Sequence, residues 1–139
     1  DGCISFPYGD IFSRDLTKNL TGCKEVFIFA ATIGIGFDRM IQRAKVQSMA
    51  KAAILQAVGA TAVEDVCDLL QAQLYQEVAK ENKKLRPRYS PGYGDYSLEN
   101  QRGIFSVISP DRYAGITLMD TLIMAPEKSV TAIIGITSE

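Results

Sequence analysis

The sequence predicts an α+β fold, and three observations carry that expectation. A short β-branched and aromatic run, Val26 to Ala31, reads as a strand, and a helical pattern of unusual length follows from about Val46 to Lys84. Two further β-rich runs close the chain around a four-residue turn. Strands and long helices are thus segregated, without the repeated strand-helix alternation of a doubly wound sheet.

The opening, rich in Gly and Pro, reads as irregular. Ser13 to Leu20 is predicted as a short helix, with Ser13 as its N-cap and Gly22 just past its end. Val26 to Ala31 stops at Thr32-Ile33-Gly34 and has the composition of a central strand buried on both faces. Phe37, Met40, Ile41 and Ala44 then fall at helical spacing, with Asp38 favourably placed in the first turn.

In the long helix, Val63, Val66, Cys67, Leu70, Leu74 and Val78 share one face. Gly59 inside it costs about 1 kcal/mol relative to Ala, so it marks either close packing or a break into two helices. Arg86-Pro87 ends the helix, because proline disfavours the α conformation in the residue before it. Ser97 caps a helix through Leu98, Gln101, Phe105 and Ile108, stopped at Pro110. Ile116 to Ala125 and Val130 to Ile136, around Pro126-Glu127-Lys128-Ser129, are predicted to pair as a hairpin.

At 139 residues and 47% hydrophobic content the chain is expected to form one domain with a real core. Fifteen basic residues against 16 acidic ones leave no long-range field to recruit nucleic acid or an anionic membrane. The longest nearly apolar run, Val26 to Phe37, is shorter than the roughly 20 residues a bilayer span needs, so a soluble chain is expected. Three cysteines without C-x-x-C spacing favour a reducing compartment, the cytoplasm being the simplest. The absence of histidine removes the usual zinc ligand and every Ser-His or Cys-His pair. A start at Asp1-Gly2-Cys3, without initiator Met, suggests that N-terminal residues are missing.

Arg88-Tyr89-Ser90-Pro91-Gly92-Tyr93-Gly94-Asp95 puts a permanent cation, a Pro-Gly pair suited to a type II turn and two aromatic rings into one extended loop. Such a loop is a candidate ligand site. Gly34-Ile35-Gly36 lacks the third glycine and the distant acidic residue of a dinucleotide fingerprint, and is read as a strand-to-helix turn. Lys80, Lys83, Lys84, Arg86 and Arg88 beside Tyr89, Tyr93 and Tyr96 would suit single-stranded nucleic acid, but the slightly negative net charge favours reading the lysines as a solvated helix C-terminus, and no nucleic-acid partner is expected. Glu64, on the flank of the apolar stripe, serves either a structural ion pair or a ligand ammonium.

Arg88-Tyr89-Ser90-Pro91-Gly92-Tyr93 resembles the R-x-x-P-G-Y motif of the S-adenosylmethionine-binding activation domain of cobalamin-dependent methionine synthase. Met124 to Val130 is similar to that family's M-x-P-x-x-S-V hairpin, and Ala62-Val63-Glu64 to its glutamate-bearing helix. Ala30-Ala31-Thr32-Ile33-Gly34 looks more like short stand-alone relatives from anaerobic bacteria. The resemblance runs from about Glu25 to the end and implies a twisted, mainly antiparallel sheet with long helices.

The function it implies is reductive methylation. Cob(II)alamin held by a methionine synthase or another corrinoid protein takes an electron from a donor such as flavodoxin or ferredoxin. The cob(I)alamin formed then takes a methyl group from S-adenosylmethionine. Since cobalt is the nucleophile, the polypeptide supplies binding, orientation and electrostatics, and needs no histidine. By motif match, Arg88 takes the ligand carboxylate and Glu64 its ammonium, while Ser90 and Gly92 lie along adenine or ribose through their backbone. Tyr93 stacks on adenine, sits near the sulfonium, or braces the turn against the long helix.

The chain departs from the family in lacking an early acidic ligand contact, a later strand with a second tyrosine contact, and a long insertion between Glu64 and Arg88. Those departures motivate an alternative, a corrinoid-protein docking module that does not bind S-adenosylmethionine.

Overall fold

In the computed structural model, which describes residues 2–138, the chain opens on an antiparallel hairpin of β1 (Cys3–Phe6) and β2 (Gly9–Phe12). The sequence predicts an irregular stretch here, and the structure corrects that. Its strands are four residues each, too short for alternation to stand out, yet they pair Ile4 with Ile11 and bury Ile11 almost completely. Ser13 follows and caps α1 (Arg14–Asn19) as predicted, its Oγ accepting a hydrogen bond from the Leu16 N–H at 3.0 Å.

The strand β3 (Glu25–Thr32) leads to α2 (Ile35–Gln47), which is joined through Ser48 to the 31-residue α3 (Met49–Ala79). The break in the long helical pattern is therefore at Ser48 and not at Gly59. Ser48 leaves the helical conformation and its Oγ caps α3 by accepting from the Lys51 N–H at 3.2 Å. Gly59 instead marks close packing, because a Cβ there would collide with the Phe37 ring of α2. Among the described residues no helix is long and apolar enough to cross a membrane.

Beyond α3 come the short β4 (Lys84–Leu85), the loop 86–99, α4 (Asn100–Ile108) and the single turn α5 (Pro110–Tyr113). Ser97 is not the N-cap expected of it: Glu99 holds that position without a side-chain cap, and Ser97 Oγ accepts the Glu99 N–H in the turn before α4. Pro110 stops α4 and starts α5, where its missing N–H costs nothing. The chain ends with β5 (Thr117–Leu118), β6 (Met124–Ala125) and β7 (Ser129–Thr137).

Two expectations about the sheet need correction. The main sheet has the order β3-β7-β4, all antiparallel, so β7 is the central strand and β3 an edge. The predicted hairpin between 116–125 and 130–136 does not form. One edge of β7 is taken by β3 along eight residues and the other, as far as Ile133, by β4 and Tyr89, while β6 folds back on β5. The apolar runs that suggested a hairpin were real, but pairing was decided by partners distant in sequence.

The strands are buried from two sides. On one face Phe29, Ala31, Ala132 and Ile134 meet Cys67, Leu70 and Leu74 of α3. On the other, Ile133 and Ile28 meet Ile11, Leu16, Leu20 and Tyr96. This mixed architecture of helices on an antiparallel sheet is the α+β class that the sequence predicts.

Candidate ligand-binding site

The sheet holds the Arg88–Asp95 loop at its root. Arg86 N–H donates to the Gly135 carbonyl at 2.9 Å, and Tyr89 exchanges two main-chain hydrogen bonds with Ile133 at 2.8 and 2.9 Å. Pro91 and Gly92 then turn the chain, with Gly92 at φ +98° and Tyr93 N–H closing on the Ser90 carbonyl at 3.1 Å. That is the arrangement expected of a Pro-Gly turn. Tyr89 meets Tyr93 edge-on and stacks on the fully buried Tyr96.

A carboxylate fixes the far end of the loop. Asp95 accepts from the Ser13 hydroxyl at 2.5 Å, from Arg14 N–H at 2.8 Å and from Asp15 N–H at 3.1 Å, while its own N–H donates to Asp15 Oδ2 at 3.0 Å. Gly94, at φ +50°, leaves the room this exchange needs, since a Cβ there would strike the Asp15 carboxylate and the Tyr89 hydroxyl. The Ser13 hydrogen bond, with the Arg14 and Asp15 amides, lowers the Asp95 pKa below the ordinary aspartate value.

A lowered folded-state pKa means that the charged form stabilises the fold. The contribution is complete above the unfolded aspartate value near 4 and is lost as pH falls through the lower folded value. Urea unfolding of Asp95→Asn is therefore expected to show a lower midpoint than wild type at pH 7. The two midpoints converge as the pH is lowered below about 4. Equal midpoints at neutral pH would show that the clamp does not stabilise the loop.

Beside the turn lies a cleft of about 250 Å³, lined by Ser90, Pro91 and Tyr93 from the loop, Leu98 and Gln101 from the next segment, and residues of 122–131. Its wall is largely apolar, with Leu122, Ile123, Met124 and Val130 among its lining residues. Gln101 and Thr131 are buried in it, and the Thr131 hydroxyl donates to Gln101 Oε1 at 2.7 Å. The Met124–Val130 stretch is held by Ser129, whose Oγ donates to the Pro126 carbonyl at 2.6 Å and lies 2.9 Å from Thr32 Oγ1. Asp38 of α2 supports the same turn by accepting from Glu127 N–H at 2.8 Å.

Of the five residues singled out from sequence, Ser90 and Tyr93 line this cleft and Gly92 makes its turn. Arg88 and Glu64 do not line it. They are brought together with each other, on the side of α3. Arg88 Nη2 contacts Glu64 Oε2 at 2.9 Å, and Nη1 contacts Asp68 Oδ1 and Gln71 Oε1, both at 2.8 Å. The guanidinium is mostly covered, at 18% side-chain exposure, whereas both carboxylates are more open. Burial opposes its charge, but the hydrogen bonds it donates to Asp68 and Glu64 outweigh this and raise its pKa.

Sequence reading missed Asp68 and Gln71, although positions 64, 68 and 71 recur at i, i+4 and i+7 and so share one helix face. It also missed the Asp95 clamp and the Gln101–Thr131 pair, which join residues 80 to 82 and 30 positions apart. Of the groups considered for nucleic acid, Lys80 pairs with Glu77, and Lys83 with Glu25 and Glu81. Tyr96 is buried, and Tyr89 is packed against Tyr93 and Tyr96.

No family model matches this chain, and no curated protein matches it in sequence. Among solved structures, the chain is similar to the crystal structure of the MetH reactivation domain bound to AdoHcy, with a TM-score of 0.66 and 18% identity. The match covers 79% of this chain and 38% of that one. The chain thus has the fold of the MetH reactivation domain over most of its length, while spanning under two fifths of that structure.

Proposed function

We propose that this chain binds S-adenosylmethionine across the Arg88–Tyr93 loop and presents its methyl group to cobalamin carried by a methionine synthase or related corrinoid protein. The observation that carries this reading is the cleft beside Ser90, Pro91 and Tyr93, on a fold shared with a domain solved with S-adenosylhomocysteine. A ring system would occupy the cleft, and the amino-acid end would cross Ser90 toward α3. Arg88 lies two residues from Ser90, at most about 7 Å along the backbone.

The Arg88–Glu64 pair suits the zwitterionic end of such a ligand, even though it is closed on itself. Inserting a carboxylate toward Arg88 and an ammonium toward Glu64 replaces one ion pair with two, leaving no charge unmatched. Asp68 is then the competitor, because it already holds Arg88 Nη1 where a ligand carboxylate would dock. When bound, the partner's cobalamin supplies the nucleophile for methyl transfer. This chain's residues bind the donor, orient it and limit its freedom. An electron donor such as flavodoxin or ferredoxin completes the proposed system.

Thermal unfolding with millimolar S-adenosylhomocysteine tests the reading. The melting temperature should rise with ligand concentration, by several degrees at about 100 times Kd. Asp68→Asn should strengthen binding severalfold by removing the competing carboxylate. Absence of any shift in wild type would contradict the proposal.

One observation favours a second reading, docking on a corrinoid protein without binding the methyl donor. Arg88 is already satisfied by three side chains of α3, as a purely structural guanidinium would be. Capture of a corrinoid protein unaffected by Arg88→Ala, with no S-adenosylhomocysteine binding, would favour it.

A further inference from the structure

The cleft is also lined by a buried polar pair that the motif does not include. Gln101 is 3% exposed and Thr131 is 1% exposed, yet both line the cleft among mainly apolar side chains. The Thr131 hydroxyl occupies Gln101 Oε1, which fixes the amide and leaves its NH2 as the group it can offer to a guest.

The sheet adds a second polar element beside it. Ile133 exchanges both main-chain hydrogen bonds with Tyr89, and by the two-residue alternation of an antiparallel strand Thr131 turns its N–H and C=O to that same edge. The residue that would form the next rung is Pro91, which has no N–H and turns the chain away. The cleft therefore begins where the ladder stops. A flat group carrying a donor and an acceptor side by side matches that edge. At about 250 Å³ the space falls below the roughly 300–1,000 Å³ of pockets that enclose drug-sized molecules, and suits one ring system.

We propose that Gln101, locked by Thr131, is the specificity-determining residue of the cleft, and that with the open Thr131 edge it selects a purine base, read by its ring nitrogens and exocyclic amine. This deepens the functional reading above and rests on it for the identity of the full ligand. It assigns the base-reading role to a side chain outside the R-x-x-P-G-Y loop.

Titration calorimetry with adenosine as the probe separates base reading from the amino-acid contacts, and S-adenosylhomocysteine is measured in parallel. Adenosine should bind wild type, and Gln101→Leu should weaken it by about tenfold or more. Thr131→Val, close to isosteric, should weaken it severalfold by freeing the amide, and Gln101→Glu should weaken it by reversing donor to acceptor. Circular dichroism confirms folding, so a collapse of Gln101→Leu leaves the other two variants to decide.

Adenosine bound equally by wild type, Thr131→Val and Gln101→Glu would overturn the inference while leaving the functional proposal standing. If wild type ignores S-adenosylhomocysteine but binds adenosine in a Gln101-dependent way, the functional proposal fails and the base-reading role holds. If adenosine does not bind wild type at all, the inference is overturned.

Discussion

Arg88→Ala is expected to abolish measurable binding of S-adenosylhomocysteine while leaving the free chain folded. In the proposed complex the guanidinium makes charge-assisted hydrogen bonds to the ligand carboxylate. Each such bond contributes about 1.5–3 kcal/mol, so losing the two bonds of the fork should weaken binding by about a hundredfold or more. In the free chain the same side chain holds Glu64 and Asp68, which are open to solvent and screened. Its removal leaves two acidic residues at i, i+4 spacing, a cost of a few tenths of a kcal/mol. Calorimetry should thus show lost binding with a nearly unchanged urea midpoint. Retained affinity would place the ligand's amino-acid end elsewhere.

Ile133→Ala is expected to give the largest loss of stability, about 2–5 kcal/mol. Ile133 is fully buried on the central strand, among Ile11, Leu16, Leu20 and Tyr96, and its main chain anchors Tyr89 at the root of the ligand loop. A cavity there loosens α1, the Tyr89–Tyr96 stack and the loop together. Urea unfolding should show the lower midpoint at similar slope. A loss below 1 kcal/mol would mean that this side of the core collapses easily around the missing atoms.

Local signals in the sequence foretold local structure well. The Ser13 cap of α1, the strand at β3, the helix α2, the body of α3 and the turn at Pro91-Gly92 each depend on residues within a few positions of one another, whereas α3 ends at Ala79 and not at Arg86-Pro87, because Lys84–Leu85 pair with β7. Gly59 was ambiguous for a physical reason, because a glycine inside a helix can serve either a break or a close approach. The Phe37 ring decides which.

Pairings across long separations were not legible. Which strand lies at the centre depends on β7 meeting β3 roughly a hundred residues earlier, and composition alone made β3 look central. At the candidate site the sequence named Ser90, Gly92 and Tyr93 from a contiguous loop, and the cleft forms beside them. It paired Arg88 and Glu64 by charge, yet gave each a ligand partner before the fold gave them each other. Gln101 looked like an ordinary helix residue because its meaning comes from Thr131, on a strand 30 residues away.

The central claim is that the cleft where the β7 ladder stops holds the adenosyl part of an S-adenosyl ligand. A nitrogen-15 amide titration of the full chain with S-adenosylhomocysteine tests it most directly. Saturable shifts are expected at Ser90, Gly92, Tyr93, Gln101 and Thr131, together with signals on α3 near Glu64 and Asp68. An unchanged spectrum at millimolar ligand, or shifts gathered around the separate cavity beside Cys23 and Phe6, would contradict it.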